Sequence, residues 1–282
     1  MVLIYGLCTA LMWANSNLSS ARAIRHIPQY SVVAWVTLVG LLVTIPFAVA
    51  SGVPAGLTAA TLAGLALVGV CVVLGLVFLY GAFRVGKISL VAPIVATEGA
   101  VAATLSALLG EPVKPITAVL LLVIAGGVVL STFAPDPAPV EHEEPMKAAL
   151  LALAAAFFLG TGVFLTGRFS SELPMSWVLM VPRIAGCIVL FVPLLISRQL
   201  RLNRQAVPFV SATGVSEVVG YFTLGLGSRI SIAIAAVLAS QAATFTVLGG
   251  RFLFGERLGR LQILGIVVVI AGVSGLAIAG SH

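Results

Sequence analysis

The sequence predicts an all-α membrane protein of ten transmembrane helices, arranged as two inverted five-helix repeats around a central cavity. Three observations carry this expectation. The 282 residues are 60% hydrophobic and only 9% charged, whereas soluble domains carry about a quarter charged residues. The apolar runs are long and unbroken, each near the roughly 20 residues that cross a bilayer as a helix, where barrel strands would alternate apolar and polar. The two halves of the chain also resemble each other.

Ten segments follow in order, approximately 2–20, 30–50, 57–83, 88–109, 115–133, 147–167, 174–197, 207–227, 230–253 and 259–279. The first opens MVLIYGLCTALMWA. It lacks a basic leader and an Ala-x-Ala site, so it reads as a span and not as a signal peptide. Connections such as HIPQYS, ASGVPAG, GEPVKP and SRQLRLNRQ are short and rich in Pro, Gly, Arg and Ser. The run Ala134-Pro-Asp-Pro-Ala-Pro-Val-Glu-His-Glu-Glu-Pro-Met146 differs. Its prolines and acidic residues cannot bury apolar surface, which makes it an extramembrane linker at 134–146. It separates a first repeat, 1–133, from a second, 147–282.

The net charge of +6 does not point to nucleic acid, because the Lys and Arg residues sit singly in short connections. There they set topology and meet anionic lipid headgroups. Loops after odd-numbered segments hold Arg22, Arg25, Arg84, Lys87, Lys147, Arg198, Arg201, Arg204, Arg257 and Arg260, and the opposite side holds mainly Lys114, Arg168 and Arg229. That bias places the linker in the cytoplasm and both termini outside. Cys8, Cys71 and Cys187 lie in apolar segments without CxxC spacing and read as packing residues. No metal or cofactor is expected.

Charge inside the spans is the functional signal. Glu98, Arg183 and Glu217 fall near mid-segment, where each costs about 2.5–3.5 kcal/mol on insertion scales. None should face lipid. Residues three and four away share a helix face. Around Glu217 that face holds Thr213, Gly214, Gly220 and Tyr221, and around Arg183 it holds Gly186 and Cys187. Gln241 with Thr244, and Asn15 with Ser19, give the ninth and first segments polar sides. Together these faces could line one chamber near the midplane. The alternative is a buried structural network in which one Glu neutralises Arg183. Two carboxylates against one arginine leave a surplus carboxylate, a candidate for a proton or a substrate amine, while Arg183 suits a substrate carboxylate.

Other features read as structural. Pro93 and Pro182 can kink their helices. Trp13, Trp35 and Trp177 read as interfacial anchors. Tyr80 and Tyr221 could stack on a substrate, though a filled helix interface is the simpler reading. Glu111 and Glu256 suit helix starts.

The repeat is visible in YGAFRVGKISLVAPI…LLGEPVKP…LVIAGGVVL against YFTLGLGSRISIAIAA…LFGERLGRLQ…VVIAGVSGL. Lys87-Ile-Ser pairs with Arg229-Ile-Ser, and Gly110-Glu111 with Gly255-Glu256. An odd number of spans per half orients the two copies oppositely, the layout of many secondary transporters. With Trp13-Ala14, with Gly255-Glu256-Arg257-Leu258 followed by Gln262 and Gly265, and with Arg183 ten residues before Pro193, the chain resembles the drug/metabolite transporter superfamily, ten-helix EamA type. The first copy departs, with Gly-Glu-Pro at the corner and Val36 in the slot matching Arg183.

The resemblance implies a membrane transporter of the bacterial inner membrane, akin to amino-acid and metabolite exporters. The expected function is therefore alternating-access export of a small polar metabolite or drug, with proton coupling open. Glu98, Arg183, Glu217, Tyr221, Gln241, Thr244 and Asn15 would form the substrate or proton site. The expected partners are a small-molecule substrate and membrane lipids, with protons open and oligomeric state unassigned. A flippase of lipids or lipid-linked metabolites is the second reading. A membrane-embedded enzyme finds no support in motif: His142-Glu143-Glu144 begins like HExxH, but Met146 stands at the second histidine's place, and neither GxSxG nor GxxxxGK[ST] occurs.

Overall fold

The computed structural model describes residues 1–109, 115–133, 143–170, 172–228, 230, 238–239 and 241–279. The Gly110-Glu111 corner, Lys114, linker residues 134–142 and Arg229 lie outside them. The helices are α1 Val2–Ala23, α2 Gln29–Ser51, α3 Ala59–Val85, α4 Ile88–Val95, α5 Glu98–Leu108, α6 Pro115–Phe133, α7 Pro145–Ser170, α8 Met175–Gly186, α9 Val192–Ile196, α10 Val207–Ser228, α11 Ala242–Phe254 and α12 Arg260–Ala279. A π-helical turn, Cys187–Phe191, joins α8 to α9. Among the described residues there is no strand.

Among the described residues, five stretches are long and apolar enough to cross a membrane: Gln29–Ser51, Ala59–Val85, Pro145–Ser170, Met175–Ile196 and Val207–Gly227. Shorter apolar helices run over Ile88–Ala102, Leu122–Ser131, Ala242–Phe254 and Arg260–Gly275. The sequence leads one to expect unbroken fourth and ninth segments, and here the structure differs.

The fourth segment breaks at Ala96–Thr97. The Thr97 amide bonds Ile94 O at 3.1 Å, a tightened turn, and its hydroxyl donates to the same carbonyl at 2.7 Å. Pro93 supplies no amide to the ladder just before. The ladder then restarts, with the Ala100 and Val101 amides on Thr97 O. The ninth segment repeats this device: the Gln241 amide bonds Leu238 O at 3.1 Å, and the Phe245 amide then bonds Gln241 O at 3.0 Å. A polar residue therefore stands at the head of each second half-helix, Glu98 in one repeat and Gln241 in the other. The π-turn has a similar origin. Pro193 cannot donate, and the Val192 amide reaches back to Cys187 O. Such turns frequently mark functional sites, and this one begins one helical turn after Arg183.

Contacts between the halves come in exchangeable pairs. α1 packs on α10 as α7 packs on α3; α2 packs on α10 as α8 packs on α3; α1 packs on α11 as α7 packs on α5. α6 packs on α12, and α2 on α8. Equivalent helices of the two halves thus trade places, as a two-fold relation requires. Small residues permit the close approaches. α7 turns Ala148, Ala152, Ala155, Ala156 and Gly160 inward, and any Cβ at Gly265 would meet the backbone of Ser131 and Gly127.

The basic connections gather at one end of the bundle. Arg22 lies over the Phe209 and Phe254 rings at 5.7 Å, and Arg25 over Phe254 at 4.5 Å. Trp35 donates to Arg201 O at 3.1 Å, and Lys87 to Arg257 O at 2.9 Å. The opposite end is tied by Trp177 to Gly52 O at 2.8 Å and by Ser51 to Ser176. Trp35 and Trp177 thus sit at helix ends, but Trp13 is no interfacial anchor. It lies midway along α1, inside the bundle against Gly220, edge-on to Tyr221 at 5.4 Å. The three cysteines are free.

Candidate functional site

Arg183 sits on α8 just after Pro182, where two glycines clear space around it. A Cβ at Gly40 of α2 would strike the guanidinium, and one at Gly69 of α3 would strike Pro182 O. The guanidinium donates to Leu179 O of its own helix at 3.0 Å. Among the described residues no carboxylate lies within 4.0 Å of it. Most of its five donors are thus left for something other than a protein anion. In the first repeat the matching slot holds Val36, fully buried, whose carbonyl abuts Gly214. The cation has no twin there.

Glu217 lies on α10 and faces this cation. The two interact electrostatically, and the Ser16 hydroxyl of α1 is turned to the carboxylate. One residue along the same seam, Asn15 donates to Ser216 Oγ at 2.8 Å. Tyr221, one turn on from Glu217, feels Glu98, Glu217 and Arg183 together. Glu98, at the head of α5, is therefore joined to the other two charges through Tyr221. Its backbone carbonyl rests on Gly160 of α7. Glu98, Arg183, Glu217 and Tyr221 are all only partly covered, and three helices, α5, α8 and α10, from both halves of the chain supply them.

Gln241 and Thr244 take a different part. Thr244 donates to Gln241 Oε1 at 3.1 Å, and Gln241 donates to Ser274 Oγ of α12 at 3.0 Å. They brace the head of α11 against α12.

Two further residues join this group, one of them, Tyr80, expected from the sequence only as an interface filler or a stacking ring. Tyr80 of α3 is 1% exposed; its hydroxyl makes no well-formed hydrogen bond among the described residues, with Ser20 of α1 at hand as a partner, and it interacts with Glu217. Its signal was present in the repeat, because Tyr80 and Tyr221 are the first residues of the two aligned copies. Asn17 also reaches across, to Thr246 Oγ1 of α11 at 3.4 Å.

A second polar cluster lies at the basic end. The buried Glu256 carboxylate accepts the Ile88 and Ser89 amides at 2.8 and 2.9 Å and the Ser89 hydroxyl at 2.5 Å. It therefore caps α4 of the other repeat, not the start of its own α12. Lys87, fully buried, ion-pairs Glu143 at 3.9 Å. Glu144 donates its amide to Val85 O, and α7 starts at Pro145. The last linker residues are thus built into the bundle.

Two halves with exchangeable contacts, each with a helix that starts inside its fourth segment, match what comparison with known proteins finds. A model of the EamA-like transporter family matches residues 1–133 and again 146–278. The chain belongs to the EamA-like transporter family. It is accordingly an integral membrane transporter of the drug/metabolite transporter superfamily. Among solved structures, one described as "Crystal structure of protein" aligns with this EamA-like chain at a TM-score of 0.67 and 16% identity, covering 97% of this chain and 95% of that one. That likeness shows the fold alone. A search of curated proteins finds no match.

Proposed function

We propose that this EamA-like transporter carries a small zwitterionic metabolite of the amino-acid class out of the cell, by alternating access around the Arg183–Glu217–Tyr221–Glu98 group. The observation that carries the reading is the Arg183 guanidinium, held in space cleared by Gly40 and bonded to Leu179 O of its own helix. A partly covered guanidinium with unused donors suits a substrate carboxylate in bidentate geometry. The α5 head adds the positive end of a half-helix dipole, as interrupted helices do in carriers. Glu217 and Glu98 then offer one carboxylate to the substrate amine and one to a proton. Binding in one facing state and release in the other would couple efflux to the proton gradient.

Liposomes loaded with a panel of labelled amino acids test this, with and without an imposed pH gradient. Gradient-dependent efflux of at least one amino acid is expected. Arg183→Gln should abolish it, and Glu98→Gln or Glu217→Gln should uncouple it from pH. Full efflux by Arg183→Gln, or carriage of carboxylate-free amines alone, overturns the zwitterion reading.

A further inference from the structure

We infer that the transporter carries a dedicated site for one anionic phospholipid at its basic end, in the groove where α2, α3 and α7 meet. The groove has a volume of about 450 Å3 and is lined at its outer end by Gln29, Tyr30, Arg84, Glu144 and Lys147. Its inner end is apolar, lined by Val77, Phe78 and Leu151.

The two ends are spaced as a lipid is. Arg84 and Val77 are seven residues apart on α3, about 10 Å along a helix, the step from headgroup to upper acyl chain. The lining charges suit a monoanion: Arg84 and Lys147 against Glu144 leave one positive charge. Lys147 pairs with Glu144 at 3.0 Å, and both side chains are exposed to the groove's opening. Arg84 is exposed, and among the described residues no carboxylate holds it. Gln29 lies against Gly81, beside the same opening. Basic pockets between spans on the cytoplasmic side take anionic headgroups. This end also carries Arg22, Arg25 and Arg201, which by the charge rule makes it the cytoplasmic one.

The occupant therefore has a phosphodiester carrying one negative charge and acyl chains, with phosphatidylglycerol the simplest probe. Its place gives it leverage, because α3 and α7 form a seam between the repeats. A lipid bound there bridges the two halves.

The test is thermal unfolding of the whole purified protein in uncharged detergent, supplemented with phosphatidylglycerol, phosphatidylcholine or inorganic phosphate. Native mass spectrometry counts retained lipid in parallel. Phosphatidylglycerol should raise the melting midpoint by several degrees more than phosphatidylcholine and leave one retained copy. Arg84→Gln with Lys147→Gln should lose both effects while melting normally in phosphatidylcholine. Both side chains are exposed, and the single Arg84→Gln variant, expected to halve retention or worse, guards against misfolding of the pair. Equal shifts from the two lipids, or an unchanged response in the variants, would sink the proposal. A full shift from inorganic phosphate alone would reduce the groove to a free-anion site and overturn the lipid assignment.

Discussion

The Glu256 carboxylate of the second repeat closes the head of α4 in the first, accepting the amides of Ile88 and Ser89. Four amides at a helix start lack partners within the helix, and here a buried anion takes two of them. Glu256→Ala would leave both donors buried and unpaired, a loss of about 3 kcal/mol from bonds to a charged acceptor. Glu256→Gln keeps one acceptor oxygen and should cost about half as much. Thermal unfolding in detergent orders the three proteins wild type, Gln, Ala; a reversed order of the two variants contradicts the capping role.

Gly40 allows Arg183 its position. A methyl group there meets the guanidinium, the far end of a flexible side chain, so the protein can yield by moving the cation. Gly40→Ala should therefore weaken substrate binding by tenfold or more, about 1.4 kcal/mol, while its melting midpoint stays near wild type. Binding by calorimetry and unfolding by light scattering separate the two quantities. A large stability loss with intact binding would assign Gly40 to packing alone.

Much of this was legible in the residues. Composition fixed the bilayer, and the Lys87-Ile-Ser and Arg229-Ile-Ser repeat fixed the duplication, because both signals are properties of the local chain. Glu98, Arg183 and Glu217 stood out through the cost of charge at depth. Partners were less legible. Glu256 looked like a cap for its own helix, since a sequence does not say that α4 of the other half lies beside it. Gln241 looked like a cavity residue, but its partner Ser274 lies 33 positions away. The breaks at Ala96–Thr97 and before Ala242 were hidden because the polar residues there, Thr97 with Glu98 and Gln241, fit the polar face of an unbroken helix equally well. Trp13 read as an anchor because a tryptophan is at home at both interfaces and in helix seams.

The α6–α12 contact rests on backbone closeness. Gly265 faces Gly127 O and the Ser131 amide, and Gly272 faces Ile124. In a bilayer such contacts are held by dispersion and close packing, so bulk cannot be absorbed by a flexible side chain. Gly265→Val should force the two helices apart and destabilise the protein by at least 2 kcal/mol, in the range of overpacked cores. Unfolding in detergent measures it, and Val267→Leu, on an exposed position of the same helix, serves as the neutral control.

Tyr80 sets stability against function. Its buried hydroxyl makes no well-formed hydrogen bond among the described residues, with Ser20 at hand and Glu217 within electrostatic range, and an unpaired buried donor costs about 1–3 kcal/mol. Nothing in the packing of Tyr80 against Phe83 needs the oxygen. Tyr80→Phe should therefore raise the melting midpoint, by an amount equivalent to about 1 kcal/mol. If the hydroxyl is kept to donate to Glu217 or to a substrate carboxylate in another facing state, the same change should lower flux several-fold. The two effects must appear together. A variant both more stable and fully active would make the tyrosine a relic of the duplication that also left Tyr221. A variant less stable than wild type would mean that the oxygen already has a partner in the resting protein.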